Sequence, residues 1–260
     1  MMTTRTAPFH LRQLTLIGGF ILPALVSAEG LRPLSTDRPD TTESPYTVDC
    51  GHYQFELEVA AWQRDGGNNT YNFAEMNAKI GLARDTDLQL VLPVFSHEEG
   101  GAEGFGDMEL RLKHNLWGND EGSTALALMP FIKLPTANGD LGNGEVEGGL
   151  IIPLGFEGPA GWNCAVMTEI DLELDDDDSG YHPVFVNSAT TSHALSEHTS
   201  AFFELVSVLN TDSSAHSEAY FNTGCTWALG ETFQLDGGLR IGLTDASNDV
   251  TPFLGMSVKY

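Results

Sequence analysis

Residues 251–260 read TPFLGMSVKY, and this stretch decides the fold. Val250, Pro252, Leu254, Met256, Val258 and Tyr260 share one face; Thr251, Phe253, Gly255, Ser257 and Lys259 share the other. A period of two is the period of a β-strand. An amphipathic strand that stops on an aromatic is expected to be the last strand of an outer-membrane β-barrel. With nothing C-terminal to cover it, such a strand must be paired by closing on the first one. Gly255, Val258 and Tyr260 mark this barrel-closing strand.

The same alternation recurs upstream at a spacing of about 19 residues. It gives twelve candidate strands: 52–63, 70–83, 86–95, 106–116, 124–134, 145–156, 162–174, 181–194, 198–209, 216–228, 232–244 and 250–260. In the fourth, Met108, Leu110, Leu112 and Leu116 oppose Asp107, Glu109, Arg111, Lys113 and Asn115. In the seventh, Cys164, Val166, Thr168, Ile170 and Leu172 oppose Asn163, Ala165, Met167, Glu169, Asp171 and Glu173. The fifth, eighth and ninth are apolar on both faces. The expected fold is all-β: a transmembrane antiparallel up-and-down barrel of about 12 strands. Short turns at 84–85, 117–123, 157–161, 196–197 and 230–231 would lie at the periplasmic end. The loops at 64–69, 96–105, 135–144, 175–180 and 210–215 would lie outside. Aromatics near strand ends, among them Trp62, Tyr71, Trp117, Trp162, Tyr181 and Trp227, suit two interfacial girdles. Periodicity alone does not tell inside from outside, so a soluble sandwich or lipocalin-like barrel would carry the same pattern.

Residues 1–28 read as a secretory signal. Arg5 and Arg12 are followed by an apolar core over 14–26 and by Val26-Ser27-Ala28, with cleavage expected after Ala28. Residues 29–51 would then form an extended N-terminal segment and 52–260 the barrel in the outer membrane of a Gram-negative bacterium. Against 37 Asp+Glu stand 12 Lys+Arg, a formal charge of -25 that excludes nucleic acid as a partner. The three cysteines, Cys50, Cys164 and Cys225, allow at most one disulfide and lack metal-type spacing.

Ser35 to Pro45, STDRPDTTESP, runs into Gly51-His52-Tyr53-Gln54-Phe55-Glu56. With the later stretches at 130–136, 149–154, 187–190, 235–238 and 242–244, it resembles the phenol-degradation meta-pathway (MetA) transporter family of outer-membrane barrels. That resemblance covers nearly all of the mature chain. It implies passive transport of small solutes, hydrophobic or aromatic compounds among them; the aromatic preference comes from the family name alone.

In the charged N-terminal segment, Asp37, Arg38, Asp40 and Glu43 surround Pro39, with Pro45 close behind, and the prolines forbid regular ladder pairing. This segment is a candidate plug for the periplasmic mouth, with Arg38 pairing to an acid such as Glu56 or Glu169; a disordered leader is the alternative. The expected lumenal face carries Glu56, Glu58, Glu109, Glu145, Glu147, Glu169, Asp171, Glu173 and Asp236, against Arg111, Lys113 and Arg240. Such an acidic lumen disfavours anions. The run Asp175, Asp176, Asp177 and Asp178 offers oxygen ligands to a divalent metal, without the EF-hand spacing. No cofactor is expected. The implied partners are outer-membrane lipids and lipopolysaccharide, the barrel-assembly machinery, and the small-molecule solute. Two other readings compete: a closed structural barrel with cation-binding acidic loops, and a lipid hydrolase using a Ser–His pair drawn from His114, His193, Ser196 and His198. No G-x-S-x-G motif supports the hydrolase, and the expectation is a non-enzyme.

Overall fold

The computed structural model describes residues 31–120, 122–175, 180–212 and 215–260; the signal segment and Asp176 to Asp178 lie outside them. The described strands are β1 (Tyr53–Asp65), β2 (Asn68–Ala83), β3 (Thr86–Glu98), β4 (Glu103–Gly104), β5 (Met108–Trp117), β6 (Thr124–Leu134), β7 (Glu147–Glu157), β8 (Asn163–Leu174), β9 (Tyr181–Ala194), β10 (Thr199–Asn210), β11 (Glu218–Ala228), β12 (Phe233–Gly242) and β13 (Val250–Lys259). Apart from the two-residue β4, these are the twelve strands that the alternation predicts.

Each long strand pairs antiparallel with two neighbours. β13 pairs with β12 and with β1, from Gln54↔Lys259 to Arg64↔Val250. The backbones of Tyr53 and Tyr260 exchange hydrogen bonds of 3.1 and 2.8 Å at the seam. The sheet is thus a closed barrel with no open edge, and its ladder satisfies the backbone groups that lipid cannot. The β1–β2 connection differs from the six-residue loop expected at 64–69. Gly66 and Gly67 both take positive φ, 54° and 112°, as a two-residue hairpin turn requires, so the strands run on to Asp65 and Asn68.

The barrel is apolar outside and charged inside. Leu254 and Leu205 are 64% and 58% exposed, whereas Glu56, Glu204 and Lys113 are each 1% exposed. A water-soluble barrel has the opposite arrangement; an apolar outer face is stable only against lipid. Trp117, Trp227 and Tyr260 are exposed on this face at the turn end, and Trp62 and Tyr181 at the loop end, the positions of two aromatic girdles. Cys164 and Cys225 also lie on outward-facing positions, and all three cysteines are free. A bulge between Glu58 and Ala60 shifts the inward register of β1 by one residue, so Ala61 rather than Ala60 faces in.

Candidate functional site: the lumen and its N-terminal segment

Residues 31–50 enter the lumen from the turn end with no strand of their own beyond one isolated bridge at Cys50. Their backbone donors therefore need partners from elsewhere. Wall carboxylates supply them. Glu56 accepts from the N–H groups of Asp37 (2.9 Å) and Arg38 (2.9 Å). Glu204 accepts from those of Thr41 (2.9 Å) and Thr42 (2.7 Å). Asp87 takes the N–H of Val48 and Asn119 that of Thr47. Two buried acids that look like pore charges in sequence are thus spent holding an irregular backbone.

The side chains of the segment complete an ion lattice with the wall. Asp37 lies between Lys113 (2.6 Å) and Lys79, and Lys79 also bonds Glu56. Burial alone would raise the Asp37 carboxyl; the Lys113 and Lys79 ammonium groups overcome it and hold it far below the usual range. Arg38 bridges Asp236 (2.8 Å) and Glu58 (3.2 Å), and Arg240 joins the same Glu58 at 2.6 Å. The Arg38 side chain thus selects Glu58 and Asp236, while Glu56 takes its backbone N–H. Gly255 makes this bridge possible: a Cβ there would lie 2.2 Å from the Arg38 guanidinium. Both guanidinium groups lie over Phe253, at 4.4 Å for Arg240 and 5.7 Å for Arg38. Glu43 bonds Arg111 at 2.6 Å, and Arg111 bonds Glu109 at 2.7 Å. Burial and the neighbouring Asp37 push Glu43 up to about 7, and its second oxygen is covered without a hydrogen-bond partner among the described residues. Burial and the charge of Glu204 push Asp40 up to about 7, although Thr190 bonds it at 2.5 Å.

The loop-side half of the lumen is different. Glu169, Asp171 and Glu173 occupy successive inward-facing positions of β8 and make no ion pair among the described residues. Glu147 pairs with Lys133 on the neighbouring strand. Glu145 precedes β7 and is exposed, outside the strand register that places the other acids on the inner wall. Asp175 bonds His182 at 2.9 Å. At the opposite, turn end, Ser196 accepts from the backbones of His198 and Thr199, while the His193 ring stacks on Trp162. Among the described residues, no imidazole bonds a serine hydroxyl.

Sequence reasoning missed two apolar patches on the inner wall. One is Met129, Ile151 and Met167 with Phe131 and Val186; the other is Ala61, Phe202 and Phe253. The signal was the set of strands apolar on both faces, since β6, β9 and β10 contribute Met129, Phe131, Val186 and Phe202. Between the N-terminal segment and the wall of β7 to β12 remains a cavity of about 440 Å³. It is lined in part by Thr190, Ser192, Ser200, Thr226 and Asn163, uncharged and mostly hydroxyl-bearing.

The family model described as "Putative MetA-pathway of phenol degradation" matches residues 36–260. The chain belongs to this family. The match begins inside the STDRPDTTESP segment, so the lattice-forming residues are part of what the family model covers. Solved structures that share the fold include two outer-membrane proteins. An outer membrane channel from Pseudomonas putida F1 is similar with a TM-score of 0.62 at 15% identity, covering 87% of this chain and 100% of its own. The NanC porin is similar with a TM-score of 0.59 at 5% identity, covering 80% of this chain and 100% of its own. No curated protein matches the chain in sequence. This family member is an outer-membrane β-barrel, seated in membrane lipid by its apolar belt.

Proposed function

We propose that this barrel is a passive channel for small neutral or cationic solutes, aromatic compounds among them, and that residues 31–50 form a plug that limits its conductance. The observation that carries the reading is the contrast inside the lumen. The plug neutralises the turn-side charges, yet it leaves beside it a cavity whose wall side carries hydroxyl groups and whose plug side carries Asp37, Arg38, Asp40 and Glu43. The surplus of acids over bases on the inner wall, Glu169, Asp171 and Glu173 foremost, supports discrimination against anions. The apolar patches around Phe131 and Phe253, together with the family description, support aromatic solutes. On this reading the inner-wall charges act in permeation and plug docking, with no catalytic role. Lipopolysaccharide would contact the outer rim, and the barrel-assembly machinery would receive the β13 strand.

The test is conductance and ion selectivity of the refolded barrel in planar bilayers, followed by influx of phenol and of a benzoate anion into proteoliposomes. Small cation-selective conductance and faster phenol than benzoate entry are the expected results. A barrel with no conductance, with or without residues 31–45, would establish the closed structural reading instead.

A further inference from the structure

At the loop end of the lumen, three adjacent strands bring together one imidazole and two carboxylates: Asp175 and His182, seven residues apart, and the remote Asp212. His182 sits on an inward-facing position of β9, register partner of Glu173. Asp175 follows β8, and Asp212 follows β10. One potential ligand atom from each residue lies within 4.8 Å of the others. Each arm is anchored: the Asp175 N–H bonds the carbonyl of Gly180 at 3.0 Å, and the Asp212 N–H bonds Asn210 Oδ1 at 2.8 Å. Thr211 Oγ1 donates to the carbonyl of Pro183 at 2.7 Å, which ties the third arm to β9. The imidazole itself is incompletely satisfied: Nδ1 shares a proton with Asp175 Oδ1 at 2.9 Å, while Nε2 is covered and has no hydrogen-bond partner among the described residues.

We propose that Asp175, His182 and Asp212 bind one divalent cation of the zinc type. The donor set sorts the candidates. Ca²⁺ and Mg²⁺ take oxygen ligands, whereas one imidazole nitrogen with two carboxylate oxygens suits Zn²⁺ or a neighbouring first-row ion. Ligand atoms in a tetrahedral zinc shell stand about 3.3 Å apart, given metal–ligand bonds of about 2.0–2.1 Å. One pair stands 2.9 Å apart and all three atoms lie within 4.8 Å of one another, close to that spacing. Three protein ligands leave a fourth position for water. A bound cation would clasp the β8–β9 and β10–β11 connections across β9 and place positive charge beside Glu173. The inference does not rest on the transport reading, because it concerns binding alone.

The experiment uses the full chain without an affinity tag, folded in detergent micelles and checked by heat-dependent gel migration. Zn²⁺ is titrated in competition with a chromogenic chelator. One Zn²⁺ per chain is expected, undisturbed by excess Ca²⁺. His182→Asn and Asp212→Asn should each weaken binding by roughly tenfold or more, while Asp245→Asn, an exposed acid on another loop, should bind as the parent does. Should one variant not migrate as a folded barrel, Asp175→Asn takes its place. In the parent, Zn²⁺ should also raise the temperature of the migration shift, and in the variants it should not. No stoichiometric Zn²⁺, or equal affinity in the parent and the folded variants, would overturn the site.

Discussion

The two halves of the lumen use the same kinds of residue for different purposes. In the turn-side half, Glu56, Glu204, Lys79 and Lys113 are each no more than 3% exposed, and every one of them holds the N-terminal segment. In the loop-side half, Glu169, Asp171 and Glu173 face the lumen with no ion pair among the described residues. An isolated buried charge is costly, and a paired one is tolerated only when its hydrogen bonds are complete. The N-terminal segment completes them, so the buried charges of the first half are structural. Those of the second half remain available to a passing ion. Charge on an inner wall is therefore no measure of permeation by itself; its partners decide what it does.

The largest test of this contrast is deletion of residues 31–45. It removes the N-terminal partners of Lys79, Lys113, Glu56 and Glu204 at once, leaving Lys79 with Glu56 alone, and opens the turn-side half. Single-channel conductance should rise several-fold, and an unchanged value would mean that the constriction lies in the loop-side half. Next comes Asp37→Ala, which leaves Lys79 and Lys113 facing one another without their shared anion. Stranding a buried charge in this way costs about 3–5 kcal/mol. The expected outcome is a plug that undocks, read as protease cleavage within 31–50 in the otherwise intact barrel.

The pH response is smaller and has a definite sign. Asp40 and Glu43 sit at about 7 when docked, above the values of 3.8 and 4.5 that the free segment would have. The docked state therefore holds protons that the free segment has lost. Their contribution to docking is complete below the free values and disappears as pH rises through about 7. Asp37 runs the other way, but its contribution is complete above 3.8 and does not change at neutral pH. The groups facing this pair are Glu204, Asp236 and Thr190 around Asp40, and Asp37, Arg111 and Lys113 around Glu43. Conductance should thus rise between about pH 4 and about pH 7 and level off above, and the rise should vanish in the Asp40→Asn, Glu43→Gln double variant. The smallest expected effect belongs to the loop-side half. Glu169→Gln with Asp171→Asn should lower the cation-to-anion permeability ratio by roughly twofold, read from the reversal potential, without exposing 31–50 to protease. A loss of plug protection in that variant would erase the distinction between the halves.

Much of this was legible in the residues. The alternation over 108–116 and 163–173 placed Glu109, Arg111, Lys113, Glu169, Asp171 and Glu173 on one face, and the structure has them on the inner wall. Pro39, Pro45 and the mixed charges of 35–45 identified a segment that does not join the ladder. The lattice partners were not legible. Arg38 meets Asp236 across 198 positions of sequence, and Thr41 meets Glu204 across 163; no local pattern carries that information. The inner apolar patches were half legible, as strands without a polar face.

By itself the sequence determined the period, the number of strands, the charge of the inner face and the family. Period two is a local steric property of the extended chain, so it survives without any knowledge of neighbours. Only the tertiary structure decided which face meets lipid, which wall acids hold the plug, and which face the lumen alone. Those outcomes depend on closing β13 against β1, which brings Arg38, Glu58, Asp236 and Arg240 to one place, and a contact made by closure belongs to the barrel as a whole.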